Sequence, residues 1–184
     1  MLGFPRPWRI ASAREDRKGN AEARGTRGAQ GSRTGEGMKS QLMEERIRRI
    51  TVLFSELSFR VIEDERSHNA YSATFEDDDA FQAGVLIERG SRFLELAYAL
   101  TFPTSFAQTM KGKLEEMLKI CYEFGCYVSL QQTATEISYS VFTKIYYSGL
   151  NYYSLRDSLR DFRECVAALM DLLEIGKEAP EAPV

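Results

Sequence analysis

The spacing of apolar residues along the chain predicts three α-helices. In three stretches apolar side chains recur every three or four positions, which places them on one face of a helix. The first predicted helix covers residues 39–57, the second follows Pro103 and stops at Gly125, and the third follows Gly149. The three apolar stripes are Met43, Ile47, Ile50, Phe54 and Leu57; Phe106, Met110, Leu114, Met117 and Cys121; and Leu155, Leu159, Phe162, Val166, Leu169 and Leu173.

Between the helices the apolar period changes to two, which is typical of β-strands. Three or four strands precede the second helix, since the first of them could instead extend the exit of the first helix. Two more strands follow the second helix and form a hairpin. The order α-βββ(β)-α-ββ-α, with short turns between neighbouring strands, predicts an α+β fold in which helices pack on a mainly antiparallel sheet. The predicted strands cover residues 59–65, 69–76, 81–89, 92–102, 126–132 and 137–147.

Short polar side chains next to the second and third helices predict how these helices begin. Thr104 or Ser105 can accept a backbone N–H bond at the start of the second helix. Asn151 or Ser154 can do the same for the third helix, and Ser154 with Asp157 resembles a capping box.

Composition divides the chain into a tail, a domain and a second tail. Residues 1–37 hold seven of the 13 glycines and carry a net charge of +4 with almost no apolar period, so we expect a disordered basic tail. The bias towards Arg, Gly and Ala also suggests that synthesis starts at Met38, whereas the alternative is a basic arm for nucleic acid or membrane. The domain is predicted over residues 38–176 and a polar C-terminal tail over 177–184.

The charge, the apolar runs and the cysteines of the predicted domain indicate where it acts and which partners it can bind. Residues 38–184 carry 16 basic and 23 acidic side chains, a net charge of −7, which disfavours nucleic acid as a partner. No apolar run approaches the roughly 20 residues of a membrane helix, and no secretory signal opens the chain. Three cysteines form no disulfide framework. We therefore expect a cytoplasmic protein that does not bind membranes.

The residues that usually carry catalysis or hold metals are few. His68, the only histidine, lies in a polar turn, where a solvated role is usual. Cys121, Cys126 and Cys165 lack the spacing of a redox pair or a zinc site, and we expect them to be small buried apolar residues. The acidic run at residues 77–79 lacks the ligand pattern of a calcium loop. The sequence therefore predicts no catalytic residue, no metal and no cofactor.

Aromatic residues cluster in and after the last predicted strand. Alternation places Tyr139 and Tyr147 on one face of that strand and Phe142 and Tyr146 on the other. If one face of the sheet is open, the latter two form an exposed patch typical of interfaces. If a helix covers them, they belong to the core. Phe142, Tyr146, Tyr152 and Tyr153 are the predicted partner-binding residues.

The element order over residues 38–175 resembles the fold shared by type III secretion chaperones and YbjN-like proteins. The segment IYYSGLNYYSLRDSLRDFRECVAALMDLL is similar to the ending of YbjN-type proteins. The chaperone branch implies an acidic homodimer that pairs around the middle helix and the next strand, here near Met117, Val128 and Leu130, and holds an unfolded segment of a secreted protein. The YbjN branch implies a cytoplasmic regulator. Neither branch implies catalytic residues.

These observations predict a non-catalytic protein-binding module. The leading hypothesis is a YbjN-like regulator or chaperone-like protein. A type III secretion chaperone is the alternative. A second alternative is a small-molecule-binding or enzymatic domain that uses the concave face of the sheet, which convergent polar groups in a deep pocket would favour.

Overall fold

Three helices and a six-stranded antiparallel sheet form the part of the chain that the computed structural model describes, residues 33–175, with side chains from residue 41 onward. This arrangement confirms the predicted α+β class. The helices are α1 (Arg33–Glu56), α2 (Ala107–Glu123, preceded by a 3-10 turn at Thr104–Phe106) and α3 (Tyr152–Leu172). The strands are β1 (Arg60–Arg66), β2 (Ala70–Glu76), β3 (Gln82–Glu88), β4 (Phe93–Pro103), β5 (Tyr127–Gln132) and β6 (Glu136–Tyr146).

The strand order across the sheet is β1-β2-β3-β4-β6-β5, and every neighbouring pair is antiparallel. Strand β4 pairs with β6 along its whole length, from Phe93 opposite Tyr146 to Pro103 opposite Glu136. Because α2 and β5 intervene in the chain between these two strands, β5 is left at one edge of the sheet and β1 at the other.

All three helices pack on one face of the sheet. The core combines their apolar stripes with the alternate strand residues that face them, such as Phe75, Val85, Leu96 and Tyr139. This placement follows from the period of two, since residues one position away point to the opposite face. Tyr139, Phe54, Phe75 and Phe162 are the largest side chains that are fully buried.

The structure corrects the predicted start of the first helix. Helix α1 begins at Arg33 rather than near residue 39, so five residues assigned to the tail are helical. The apolar stripe of the sequence starts only at Met43, and a nucleated helix can extend beyond the residues that such a stripe marks. The other predictions for the tails fall on residues 1–32 and 176–184, outside the described residues.

The predicted caps have different outcomes. Asn151 is the N-cap of α3: its Oδ1 accepts the backbone N–H of Ser154 at 3.0 Å, and Ser154 Oγ accepts the backbone N–H of Asn151 at 2.9 Å. The capping box therefore joins Asn151 to Ser154, and the predicted pairing of Ser154 with Asp157 is wrong. Neither Thr104 nor Ser105 caps α2, because a 3-10 turn without a side-chain cap leads into this helix.

Candidate protein-binding face

The face of the sheet opposite the helices is not covered by any element between residues 33 and 175. Paired residues in an antiparallel sheet share a face, so Tyr127, Phe142 and Ala97 lie in one row across β5, β6 and β4. Phe93 and Tyr146 form a second row. None of these four aromatic side chains packs against the core cluster. We call Phe93, Tyr127, Phe142 and Tyr146, with Lys144 between them, the aromatic face.

The four rings form two contacting pairs. Tyr127 stacks on Phe142 with ring centroids 5.2 Å apart and an interplanar angle of 16°. Phe93 meets Tyr146 edge to face, with centroids 5.6 Å apart. Tyr146 is 56% exposed, which is far more than a core tyrosine would be. The pairs hold the rings in fixed positions while leaving much of their surface free for a partner.

Lys144 connects the two aromatic pairs. Its Nζ lies 4.6 Å from the ring centroid of Phe93 and 4.7 Å from that of Tyr127, both within cation–π range. Glu95 is its cross-strand neighbour on β4. Partial burial and the nearby Glu95 carboxylate raise the pKa of Tyr127 above its ordinary value, so its hydroxyl stays protonated at neutral pH. The face therefore combines aromatic surface with one cation and one carboxylate.

The structure separates the predicted partner-binding residues into two groups. Phe142 and Tyr146 lie together on the aromatic face. Tyr152 and Tyr153 lie on the first turn of α3, which packs on the other side of the sheet, and there they contact each other with centroids 5.4 Å apart.

Sequence reasoning missed three members of the aromatic face. These members are Phe93, Tyr127 and Lys144. Tyr127 is 15 residues from Phe142, and Phe93 is 53 residues from Tyr146. The sequence did contain one signal for these three residues, which is alternation: each lies on the face of its strand opposite to the apolar face.

The two edges of the sheet differ in their protection. Edge strand β1 carries five charged residues among seven and a register shift between Glu63 and Glu65, both of which discourage pairing with another strand. Edge strand β5, with the sequence YVSLQQ, has no charge and no proline. Its Leu130 is 47% exposed. The free edge of β5 therefore has none of these protections.

An apolar stripe on α2 lies at the same end of the sheet. Leu114, Leu118 and Tyr122 recur every four residues and are exposed, Tyr122 by 88%. Helix α2 packs against β5, so the stripe lies beside the free edge. Among the predicted interface residues, Leu130 is exposed and Val128 is half-buried, whereas Met117 has no exposed surface and packs in the core. Met117 therefore cannot offer a surface to a second copy; its outward-facing neighbours can.

The cysteines form a buried cluster with Tyr139. The Sγ atoms of Cys121 and Cys165 are 3.9 Å apart, and Cys121 Sγ lies 3.6 Å from Tyr139 Oη. The hydrogen bond with Cys121 acts to lower the pKa of Cys165, but the bond with Cys126 and burial outweigh it and raise that pKa to about 12. Thiols in this state are poor nucleophiles. The packing agrees with the expected role of Cys121 as a small apolar residue.

The described residues contain neither a metal-binding group of side chains nor a membrane-spanning helix. Within that range no group of three or more His, Cys, Asp or Glu side chains is arranged to hold a metal ion. None of the helices described there is long and apolar enough to cross a membrane. His68 lies in the exposed turn between β1 and β2, where its ring nitrogen contacts the guanidinium of Arg89 at 2.5 Å.

Comparison with known proteins identifies a fold but no family. No family model matches the chain, and no curated protein matches it. Among solved structures, an uncharacterized protein from Methanothermobacter thermautotrophicus matches with a TM-score of 0.52 and 16% sequence identity, over 72% of this chain and 96% of that one. At this identity the likeness shows that the two chains share the α+β fold.

Proposed function

We propose that this protein works by binding another polypeptide on the aromatic face, without catalysing a reaction. The observation that carries the proposal is the uncovered sheet face on which four aromatic rings form two pairs linked by Lys144. Aromatic side chains are enriched at the centres of protein interfaces. The resemblance to YbjN-like proteins favours a cytoplasmic regulator that recognises one partner, over a chaperone.

The shape of the face suits an extended or flat partner surface. Beside the Tyr127–Phe142 pair the sheet surface is made of small residues, since Ala97 pairs with Phe142 and Ala99 pairs with Ser140 in the next row of the same face, so the face is shallow there. A shallow surface gives little enclosure to a small molecule, which usually needs a concave site. Tyrosine and phenylalanine rings supply large contact areas at low entropic cost, because each has only two rotatable side-chain bonds.

Photo-cross-linking tests the proposal directly. A photoreactive amino acid at position 146 should cross-link a polypeptide in the native cell, whereas the same group at position 153 should not give that product. Tyr153 is a matched control because it is an exposed tyrosine away from the aromatic face. The cross-linked polypeptide is then purified for direct binding measurements.

Substitution on the face then measures its contribution. Phe142→Ser with Tyr146→Ser should weaken binding of the cross-linked polypeptide by at least about tenfold, since central aromatic residues often contribute 2 kcal/mol or more. Tyr153→Ser should leave the affinity unchanged. Unfolding of the double variant would show that the rings stabilise the fold. Equal affinities would show that the partner binds elsewhere, and either result would refute the proposal.

A separate measurement distinguishes a regulator from a chaperone. A reduced, carboxymethylated polypeptide that cannot fold serves as the ligand, and fluorescence anisotropy reports its binding. A regulator should bind only its own partner. Binding of the unfolded polypeptide that is lost in the Phe142→Ser, Tyr146→Ser variant would favour the secretion-chaperone alternative instead.

We further propose that the protein forms a homodimer through the free edge of β5 and the exposed stripe on α2. Pairing of β5 with its copy around a twofold axis would continue the sheet and satisfy the unpaired backbone groups of that edge. The same axis would bring the Leu114, Leu118 and Tyr122 stripes towards each other. The absence of charge on β5 and the exposure of this stripe support this choice of interface.

Light scattering of the full chain at about 100 μM tests the dimer, since proteins that bury an interface of standard size usually associate below this concentration. The chain has a mass of 21.0 kDa, so a dimer would give about 42 kDa. Leu118→Glu with Leu130→Lys should return the mass to that of the monomer. Leu42→Glu is the control, because Leu42 is an equally exposed leucine on α1. A monomeric wild-type chain would refute the dimer.

A further inference from the structure

A groove on the helix side of the sheet combines an apolar floor with a cationic rim. It has a volume of about 240 Å³ and lies between α3, the exit of α1 and the β2–β3 hairpin, away from the aromatic face. Leu57, Phe59, Phe81 and Leu159 supply the apolar surface, and Arg156, Arg160 and Arg163 supply the cationic surface.

The floor of the groove is held in place by the aromatic core. Phe59 meets Phe75 edge to face at 5.5 Å between ring centroids. Phe81 stacks with Tyr98 at 6.1 Å and meets Phe162 edge to face at 6.5 Å. Because these rings are anchored from below, the groove is largely pre-formed, which is usual for ligand sites.

The three arginines share one face of α3. Their spacing of four and three residues brings their side chains to the same stripe beside Leu159. They differ in how they are held. Arg163 donates to Asp77 at 2.5 Å and to Asp79 at 3.1 Å, which fixes it to the β2–β3 hairpin as a wall of the groove.

Arg156 and Arg160 interact with side chains of their own helix, Arg156 also lying over the Tyr153 ring at 5.5 Å. Arg156 pairs with Asp157 at 2.9 Å, and Arg160 pairs with Asp161 at 2.8 Å. All four of these side chains are about half exposed, and exposed pairs contribute little to stability. Both guanidinium groups can therefore turn to an incoming anion at small cost and bind it with charge-assisted hydrogen bonds.

We infer that this groove binds a small organic anion: an aromatic or branched apolar body that carries one carboxylate or one phosphate. The body lies against Phe59, Phe81 and Leu159, and the anionic group is bound by Arg156 and Arg160. The volume is below the range of about 300–1,000 Å³ for drug-sized ligands, so the ligand is small. This site is independent of the proposed polypeptide-binding function, because it lies on the opposite side of the sheet.

Amide chemical shifts of the full-length protein test the inference with defined probes. The probes are 2-naphthoate, 2-naphthyl phosphate and the neutral 2-naphthol. We expect the two anions to bind, with shifts confined to residues 57–59, 80–81 and 156–163, and 2-naphthol to bind at least about tenfold more weakly because it lacks the charge. The tighter of the two anions tells whether the natural ligand carries a carboxylate or a phosphate.

Variants assign the charge requirement to particular side chains. Arg156→Gln with Arg160→Gln should weaken binding of the better anion by at least about tenfold. Arg48→Gln, on an exposed position of α1, should leave it unchanged. The comparison of probes on the wild-type chain decides the question even if the double variant does not fold. Equal binding of 2-naphthol, shifts on the aromatic face, or no shifts at about 5 mM probe would each overturn the inference.

Discussion

Among residues 33–175, three residues other than glycine adopt the left-handed backbone region: Ser58, Ala80 and Glu174, with φ between 58° and 64°. Each follows the end of a helix or a turn, where this conformation lets the next residue bond back to the chain. After Ser58, the Phe59 N–H bonds to Phe54 O at 2.9 Å. After Ala80, the Phe81 N–H bonds to Asp77 Oδ1 at 2.9 Å. Two of these three positions thus orient the phenylalanines of the groove floor.

The backbone at Ala80 predicts that glycine is more stable at this position. The left-handed region costs an L-residue about 1–2 kcal/mol, whereas glycine costs about 0.5–1 kcal/mol in entropy when it is ordered. Ala80→Gly should therefore raise the free energy of unfolding by about 0.5–1 kcal/mol, as measured by urea denaturation. Ala167→Gly, at an exposed position within α3, should lower it by about 1 kcal/mol. A loss of stability in both variants would contradict the conclusion that the backbone at residue 80 favours glycine.

At the scale of elements, α2 and α3 begin in different ways. Helix α3 has a reciprocal capping box between Asn151 and Ser154. Helix α2 instead continues from a 3-10 turn, and its side-chain cap is absent. A cap would supply a hydrogen-bond acceptor for a free backbone N–H. The backbone supplies one acceptor there, since the Thr104 N–H donates to Thr135 O at 3.2 Å, in the turn before β6.

This difference predicts unequal effects of the same truncation. Asn151→Ala should lower the free energy of unfolding by about 1 kcal/mol, because the backbone N–H of Ser154 loses its side-chain acceptor. Thr104→Ala should change it by less than about 0.5 kcal/mol, because its hydroxyl caps nothing. Urea denaturation of both variants gives the comparison. Equal losses would mean that the Asn151 cap adds nothing beyond the ordinary cost of a substitution.

At the scale of the whole molecule, several weak acids are buried in their neutral form. Burial raises the pKa of Tyr147 to about 12, and hydrogen bonding to Cys126 together with burial raises that of Cys165 to about 12. Burial raises the pKa of Tyr139, and the hydrogen bond to Cys165 raises the pKa of Cys121. All of these groups lie in or against the single core between sheet and helices, so their ionisation is coupled to unfolding.

The shifts predict a loss of stability in alkali. A raised folded-state pKa means that the unfolded chain loses its protons first, at the ordinary values of 9.0 for Cys and 10.0 for Tyr. The contribution to stability is complete below about pH 9 and disappears between about pH 9 and 12, with a slope of about 1.4 kcal/mol per pH unit for each ionising group. Urea denaturation from pH 7 to 11 measures this decline.

Tyr139→Phe provides the control for that decline. The variant removes one buried acid while keeping the ring, so its stability should fall less steeply above pH 10 than that of the wild type. Parallel curves would show that Tyr139 ionises normally in the folded protein. A stability that rises with pH over this range would reverse the sign and refute burial of the neutral forms.

Much of the fold follows from the sequence alone, because local periodicity reports which residues face a core. The period of 3.6 located the packed stripes of α1 and α3 and most of that of α2, in which Leu114 is instead exposed. The period of two located β2 to β6 and both faces of β6, but it left β1 open as a possible extension of the first helix. Gly125 ends α2 with a φ of 65°, as expected for a glycine stop. The apolar pattern begins only at Met43, and for this reason the earlier turns of α1, which begins at Arg33, were not predicted.

Only the tertiary structure decided which surfaces are exposed and available for binding. Alternation showed that Phe142 and Tyr146 share a face, but a face is open or covered according to where all three helices pack, which no single strand encodes. Tyr127 and Phe93 join them because of the strand order and register, which bring together residues distant in the chain. The inward position of Met117 beside the exposed Leu118 has a similar origin. A local pattern records the period of an element, whereas exposure depends on every element packed around it.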